Sequence, residues 1–223
     1  MTPRKYESPR RLERANATRA AIIDAAARLF AERGYGATTM AAIAAAAQVS
    51  AKSVYALGDK AQLLTLALDR AIAGDDDTPL LERPQTQAAL TAATARDAVT
   101  LGAAMGAPML LRLYPLYRAF EQAAATDAQI AALWKEYQRR RRHEVLRVVR
   151  SVEKGSGLRP GLDTERATDV LWALIGWHPV ALLVEERGWT SGQIQLWIEE
   201  LLTLILLGPD SGPDAPTRRR GPA

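Results

Sequence analysis

Length, composition and charge narrow the class of protein that this sequence encodes. At 223 residues the chain is long enough for a small amino-terminal module and a larger body with its own core. It contains no cysteine, which excludes disulfides, thiolate metal sites and cysteine nucleophiles. The formal net charge is +4, but residues 1–60 hold ten basic residues against five acidic ones, so positive charge concentrates there. Such a segment suits contact with phosphates.

The sequence predicts a soluble, cytoplasmic protein with no membrane partner. The amino terminus is charged and lacks the apolar segment of a secretory signal. The most apolar run, Leu201–Leu207, is far shorter than the roughly 18 residues that a membrane span needs.

Residues Thr18–Lys60 predict three short helices. Apolar side chains recur at helical spacing from Ile22 to Phe30, and Gly34 is expected to end this first helix. We expect the chain to turn there, because glycine adopts a positive φ without a steric penalty.

Two hydroxyl residues mark the starts of the next two helices. Thr39 is expected to cap a second helix from Met40 to about Ala46, and Ser50 a third from Ala51 to about Leu57. Two short helices joined by a tight turn, the second exposing small polar and basic side chains, predict a helix-turn-helix. Its second helix can enter a major groove of DNA.

The types and order of a larger set of residues match those of a known family. These residues are Ile23, Ala25, Ala26, Leu29, Phe30, Gly34, Tyr35, Thr38, Thr39, Ile43, Ala44, Val49, Ser50, Tyr55, Lys60, Leu63 and Leu64. In them the chain resembles the amino-terminal domain of TetR-family transcriptional regulators. One feature departs from the family. The interval from Tyr55 to Lys60 is one residue short, and the aromatic residue that usually follows the tyrosine is absent. Leu57 is expected to take over its packing.

Beyond Asp59 and Lys60 the sequence predicts only further helices. The predicted helices are 60–73, 85–104, 109–124 with a kink at Pro115, a long helix capped by Asp127 and closed by Gly155–Gly157, 164–186 and 191–207. The three adjacent aspartates at 75–77 are expected in a solvated loop, with no metal.

Because only helices are predicted, the fold class is all-α, with about nine helices. Four parts are expected: a flexible basic arm (1–14), a helix-turn-helix domain (15–60), a ligand-binding and dimerisation domain (61–207) and a disordered tail (208–223).

The resemblance and the basic residues together define a set of DNA contacts. By resemblance, Ser53 and Tyr55 hold the phosphate backbone, while Ala51, Lys52 and Ala56 sit where base edges are read. Lys52 is the expected base reader, through guanine N7 or O6. Phosphate contacts are expected from Thr39, Lys60 and the arm residues Arg4, Lys5, Arg10, Arg11 and Arg14, and the arm can also enter a minor groove.

The resemblance also implies a small-molecule pocket in the larger domain and a homodimer built by the last two helices. The candidate pocket residues are Met105, Met109, Tyr114, Tyr117, Trp134, Tyr137, Trp172 and His178. The competing interpretation is that these side chains belong to the core. The candidate dimer residues are Val170, Leu174, Leu182, Ile194, Trp197, Ile198, Leu201 and Ile205, because a last helix that is apolar nearly all round needs cover on more than one side.

Two further patterns lie in the larger domain. Gly176 and Pro179 are expected to loosen the eighth helix. Trp172, Trp177 and His178 then lie at a loosened turn, which suits either a cavity or the subunit interface. The run Arg139–Arg142 is expected on a solvated face, with one arginine turned to Glu136 or Glu144.

The sequence therefore predicts a DNA-binding regulator, a repressor that a small-molecule effector releases from a palindromic operator. No cofactor, catalytic residue or metal site is expected. Ser151–Lys154 matches S-x-x-K but lacks the companion motifs, and is interpreted as chance. The alternative hypothesis is a helical small-molecule-binding protein whose helix-turn-helix no longer reads DNA specifically.

Overall fold

A computed structural model describes residues 9–74, 82–155 and 157–208. This part of the chain is helical and contains no strand, so the predicted all-α class is confirmed. The helices are α1 (Pro9–Ala37), α2 (Met40–Ala46), α3 (Ala51–Tyr55), α4 (Lys60–Ala73), α5 (Pro84–Leu90), α6 (Ala95–Ala124), α7 (Ala128–Gly155), α8 (Thr164–Leu174), α9 (Trp177–Ala181) and α10 (Ser191–Leu202). The π-helical turns Leu182–Glu186 and Thr203–Leu207 continue α9 and α10.

The predicted signals at the ends of the first four helices are confirmed. Gly34 interrupts α1 with φ 79°, and one further turn follows it. Thr39, Ser50 and Asp59 each accept a hydrogen bond from the backbone amide three residues later, at 3.1, 3.1 and 2.8 Å. These caps pair amides that a helix start leaves without an internal partner, and so they fix where α2, α3 and α4 begin.

The chain divides into two compact units, and the division falls within α6 and α7. Among the described residues, the first unit comprises 9–74 and 112–135. Its largest fully buried side chains are Ile22, Phe30, Ile43, Val54, Leu63, Leu64, Leu68, Phe120 and Ile130. Helix α4 is held at its end by Arg112, whose Nε donates to the Ala71 carbonyl at 3.1 Å. The predicted division at residue 60 stays a prediction, although α4 lies in this unit.

The second unit comprises the described residues 82–111, 136–155 and 157–208. Its core includes Ala103, Ala107, Val149, Leu171, Val180, Ile194, Ile198 and Leu206. Helix α8 is tied to α7 by Arg142, whose Nη2 lies 2.7 Å from Glu165 and 2.8 Å from Asp169.

The predicted boundaries of the fifth and sixth helices are wrong. The chain breaks after Leu90, and α6 then runs continuously through Gly102, Gly106, Pro108 and Pro115. The start of α6 follows a local signal, because the Thr94 hydroxyl accepts the Asp97 amide at 3.1 Å and donates to its carboxylate at 2.7 Å. Glycine and proline cost stability within a helix, but they do not end one whose other residues are packed.

Two helical stretches are long and apolar enough to cross a membrane by length and composition. The most apolar 18-residue window has a mean hydropathy of 1.2 in Ala95–Ala124 and of 1.5 in Thr164–Glu186, so the described residues contain apolar stretches longer than Leu201–Leu207. Core helices of helical proteins pass the same test. In α6, Leu113 and Tyr117 are buried in the first unit.

Candidate nucleic-acid interface and ligand site

Helix α3 and the residue after it present most of the predicted DNA-contacting side chains to solvent. Ala51, Lys52, Tyr55 and Ala56 are exposed, and Tyr55 is 62% exposed although it is a large aromatic residue. Val54 is fully buried and anchors the helix on its other side. An exposed tyrosine and lysine on a short anchored helix can reach a DNA groove without moving the core.

Two of the predicted phosphate contacts also stabilise helix starts. The exposed Thr39 accepts the Ala42 amide, and the half-buried Ser53 lies 2.9 Å from the Ser50 hydroxyl. A hydroxyl has one donor and two acceptor sites, so Thr39 can donate to a phosphate while its cap remains in place.

Lys60 has partners inside the protein. Its Nζ donates to the Tyr35 carbonyl at 3.0 Å and lies 4.1 Å from the centre of the Tyr35 ring. Burial, followed by the charges of Asp127 and Asp59, raises the pKa of the Tyr35 hydroxyl. Lys60 therefore links the end of α1 to the start of α4. The sequence interpretation missed this internal role and expected only a phosphate contact.

A basic cleft runs beside α3. It has a volume of about 350 Å³ and is lined by Arg14, Ala15, Thr18, Arg19 and Ile22 of α1 and by Ser53, Ala56 and Leu57. The first described turns of α1, including Arg10 and Arg11, are exposed and helical. The arm was predicted as flexible, but residues 9–14 belong to α1, while Arg4 and Lys5 lie outside the described residues. Arg19 was not predicted as a DNA contact.

Gly58 closes the shortened turn after Tyr55. It has φ 131°, and a β-carbon there would come within 1.9 Å of the Gln62 side-chain oxygen. That oxygen accepts the Asp59 amide at 2.9 Å and completes the cap of α4. Leu57, the expected packing residue, is half-buried at the edge of the cleft. The missing residue is thus accommodated by a conformation that favours glycine.

The predicted pocket residues are divided between the two units. Tyr114, Tyr117 and Trp134 belong to the first, whereas Met105, Met109, Tyr137, Trp172 and His178 belong to the second. In the first unit, the Trp134 ring packs edge-on against Tyr117 and Phe120, with ring centres 6.0 and 5.1 Å away. This cluster supports the core interpretation for Tyr117 and Trp134. His178 is exposed, and its ring stacks on that of Trp177 with the ring centres 3.6 Å apart.

The predicted loosening of the eighth helix is a full break. Gly176 is extended, with φ −146° and ψ −178°, and separates α8 from α9. Arg141 of α7 fills the break, because its Nη2 donates to the Trp172 carbonyl at 2.8 Å and also to the Ile175 carbonyl. A continuous helix would pair these carbonyls with the amide of Gly176 and with residue 179, which is a proline and has none.

The arginine run of α7 is therefore only partly solvated. Arg139 pairs with Glu136 at 2.6 Å, as predicted. Arg141 and Arg142 instead contact α8 or its end, which corrects the expectation of an outer solvated face. No signal within the run distinguishes these two arginines from their neighbours.

The predicted dimer residues fall into two groups. Ile194, Ile198 and Ile205 are 0, 2 and 9% exposed, so they pack within the second unit and are not available to a partner. This corrects their assignment. Val170, Trp197 and Leu201 are half-buried. Leu174 and Leu182 are exposed, as are Leu196 and Leu204 of the last helix, which were not predicted. These four leucines are among the exposed large apolar side chains of the described residues.

Comparison with known proteins identifies the amino-terminal region and the fold. The sequence profile described as "Bacterial regulatory proteins, tetR family" matches residues 22–65. No protein of curated function matches the sequence. Three similar solved structures cover most of the chain at low identity. They show that the fold is shared with transcriptional regulators.

One of these is a proposed TetR-family transcriptional regulator from Rhodococcus sp., with TM-score 0.65, 18% identity, and 86% of this chain and 99% of that chain covered. NalD of Pseudomonas aeruginosa, the secondary repressor of the MexAB-OprM multidrug efflux pump, has TM-score 0.62, 21% identity and coverages of 86% and 97%. A proposed transcriptional regulator from Saccharomonospora viridis, in complex with choline, has TM-score 0.63, 21% identity and coverages of 84% and 96%.

Proposed function

Because this chain carries a TetR-family amino-terminal domain on a fold shared with TetR-family regulators, we propose that it is a DNA-binding transcriptional repressor. It acts in the cytoplasm as a homodimer on a palindromic operator, and a small-molecule effector releases it. The observation that carries this proposal is the exposed face of α3 beside a basic cleft, within a net positive segment of the chain.

Within this interface, base reading and phosphate binding fall to different residues. Lys52 is the long donor on the exposed face of α3, and it reads guanine. Arg14 and Arg19 line the cleft and contact the phosphate backbone, together with Thr39 and Tyr55. Phosphate contacts hold the domain in register, whereas base contacts select the sequence.

The homodimer buries the exposed leucines Leu174, Leu182, Leu196 and Leu204, because covering apolar side chains that are 44–63% exposed in one chain removes them from water. A two-fold dimer places its two reading helices about 34 Å apart or a small multiple of that spacing, which selects a palindrome. The effector favours the DNA-incompetent state by about 1–3 kcal/mol of coupling free energy. That two similar proteins are a repressor and a choline complex supports this role.

Selection from a pool of random DNA duplexes tests the proposal. The purified full chain should enrich a palindrome, and binding should fall steeply as salt rises to a few hundred millimolar. Absence of enrichment at low salt would favour the alternative, a helical small-molecule-binding protein that no longer reads DNA.

Two variants separate base reading from phosphate binding in the same assay. Lys52→Ala should broaden the selected sequence, because it removes the base contact. Arg14→Gln should keep the sequence, weaken all duplexes alike and lower the slope of log K against log salt by about 1. Arg139→Gln, which lies outside the interface, is the matched control for the loss of one positive charge. An unchanged selected sequence with Lys52→Ala would refute the base-reading assignment.

A further inference from the structure

The break between α8 and α9 gathers buried polar atoms that the described residues leave unpaired. The indole N–H groups of Trp172 and Trp177 and the side-chain oxygen of Gln138 are shielded from solvent. Within the described part of the chain, none of the three has a hydrogen-bond partner. Buried polar groups in proteins are nearly always paired, so these three require a physical explanation.

Trp172 and Trp177 flank the break that the Arg141 guanidinium occupies. Its Nη2 donates to the Trp172 carbonyl at 2.8 Å, and its central carbon lies 5.7 Å from the centre of the Trp172 ring. Trp177 follows Gly176, where a β-carbon would lie 3.1 Å from the same Nη2. Gln138 precedes Arg141 by three positions on α7, so both side chains lie on the same side of that helix.

The chemistry of this group favours a hydrogen-bond acceptor. The two indole nitrogens can only donate, and the Gln138 amide can turn to present either its oxygen or its NH₂ group. The adjacent guanidinium adds positive charge, which strengthens a hydrogen bond to a carboxylate and repels a cation.

We propose that the α8–α9 break is the polar end of the effector site and takes a ligand that presents an acceptor, a carboxylate in preference to a neutral carbonyl, to the indole N–H groups of Trp172 and Trp177. That the ligand is an effector rests on the proposed function, whereas its binding at the break does not. The predicted pocket residue Trp172 belongs to this site, and Gln138 and Trp177 are additions to it.

Indole N–H resonances of the ¹⁵N-labelled full chain test this proposal directly. The five tryptophans give one such resonance each, which Trp→Phe variants assign. The probes are benzoate, benzamide and benzylamine, which share a ring and differ in charge. Benzoate, and more weakly benzamide, should move the resonances of Trp172 and Trp177 in a saturable way. Benzylamine should leave them in place.

Variants that remove one donor and keep an aromatic ring measure its contribution. Trp172→Phe and Trp177→Phe should each weaken benzoate binding about tenfold, the effect of one hydrogen bond to a charged group. Trp189→Phe is the matched control and should bind benzoate as the unaltered chain does. The remaining indole resonances report whether each variant is folded. If one variant does not fold, the affinity of the other variant decides the test.

Three results would each overturn the proposal: no movement of either resonance with benzoate or benzamide, full benzoate affinity in both Phe variants, or an equal response to benzylamine. The same samples are tested for enrichment of DNA duplexes. A chain that enriches a palindrome but ignores benzoate contradicts only the ligand chemistry. A chain that binds benzoate but enriches no duplex contradicts the proposed function and leaves this site in place.

Discussion

The turns of the DNA-binding unit and the break in the second unit pair the free backbone groups at helix ends in opposite ways. In the first unit, Thr39, Ser50 and Asp59 pair amides three residues away. At the break between α8 and α9, the carbonyls of Trp172 and Ile175 are paired by a side chain 31 and 34 residues away. The first geometry therefore depends on neighbouring residues, and the second on the packing of α7 against α8.

This difference has a functional counterpart. A helix-turn-helix must keep its shape whether or not DNA is present, and helices capped by neighbouring residues do so. A ligand site that responds to its occupant benefits from a helix break whose free carbonyls are paired by one distant side chain, because a ligand can compete for that side chain. The following substitutions break or sharpen the contrast.

The largest effect is expected from Arg141→Met. The substitution keeps an aliphatic chain but leaves two carbonyls at the break without their charged donor. We expect the free energy of unfolding to fall by about 3 kcal/mol, measured by urea denaturation. Arg139→Met is the matched control, because Arg139 is 71% exposed and pairs with the neighbouring Glu136. It should cost less than about 0.5 kcal/mol. Equal losses in the two variants would mean that Arg141 does not hold the break.

Gly58→Ala should have the next largest effect, and it tests the first unit, in which neighbouring residues fix the helix starts. The new β-carbon would clash with the Gln62 side chain, and the alanine would have to adopt a φ of 131°. The cap of α4 should therefore be disturbed. We expect a loss of about 2 kcal/mol of unfolding free energy, together with weaker DNA binding. Gly36→Ala has open space around its β-carbon and should be close to neutral. If the two variants behave alike, the shortened turn does not depend on glycine.

Removing one cap in each unit gives a smaller, matched pair of effects. Ser50→Ala and Thr94→Ala each delete a hydroxyl that accepts a backbone amide at 3.1 Å. Each should lower the free energy of unfolding by about 1 kcal/mol in urea titrations. Similar values would show that local capping contributes equally in both units. A much larger loss at Thr94 would contradict this.

How far the sequence predicts the structure follows from the same contrast. The starts of α2, α3 and α4 are predicted correctly, because capping residues lie beside the amides they pair. The start of α6 has an equally local signal in Thr94 and Asp97, whereas the two glycines and two prolines that follow it wrongly indicate that a helix ends among them. Packing of the other α6 residues outweighs them.

The candidate site shows the limit more clearly. The exposed face of α3 is predictable because its spacing follows from a cap and a helical period. Nothing within Arg139–Arg142 indicates that Arg141 turns to the end of α8 while Arg139 turns to Glu136. Likewise, the composition of the last helix indicates an apolar stripe, but only the packed core shows that Ile194 lies inside and Leu196 outside.

The smallest expected effect, and the one whose sign matters most, is that of Gln48→Gly. Gln48 has φ 55° in the turn between α2 and α3, a conformation that costs a residue with a β-carbon about 1 kcal/mol. Glycine removes that cost but gains freedom in the unfolded chain worth about 0.4–1 kcal/mol, so we expect a net stabilisation below about 0.5 kcal/mol. Ala47→Gly is the matched control. Its φ of −85° suits alanine, so glycine should destabilise by about 0.5–1 kcal/mol. Opposite signs in urea titrations would show that the turn tolerates its left-handed residue against a local strain. A loss in both variants would show that it is unstrained.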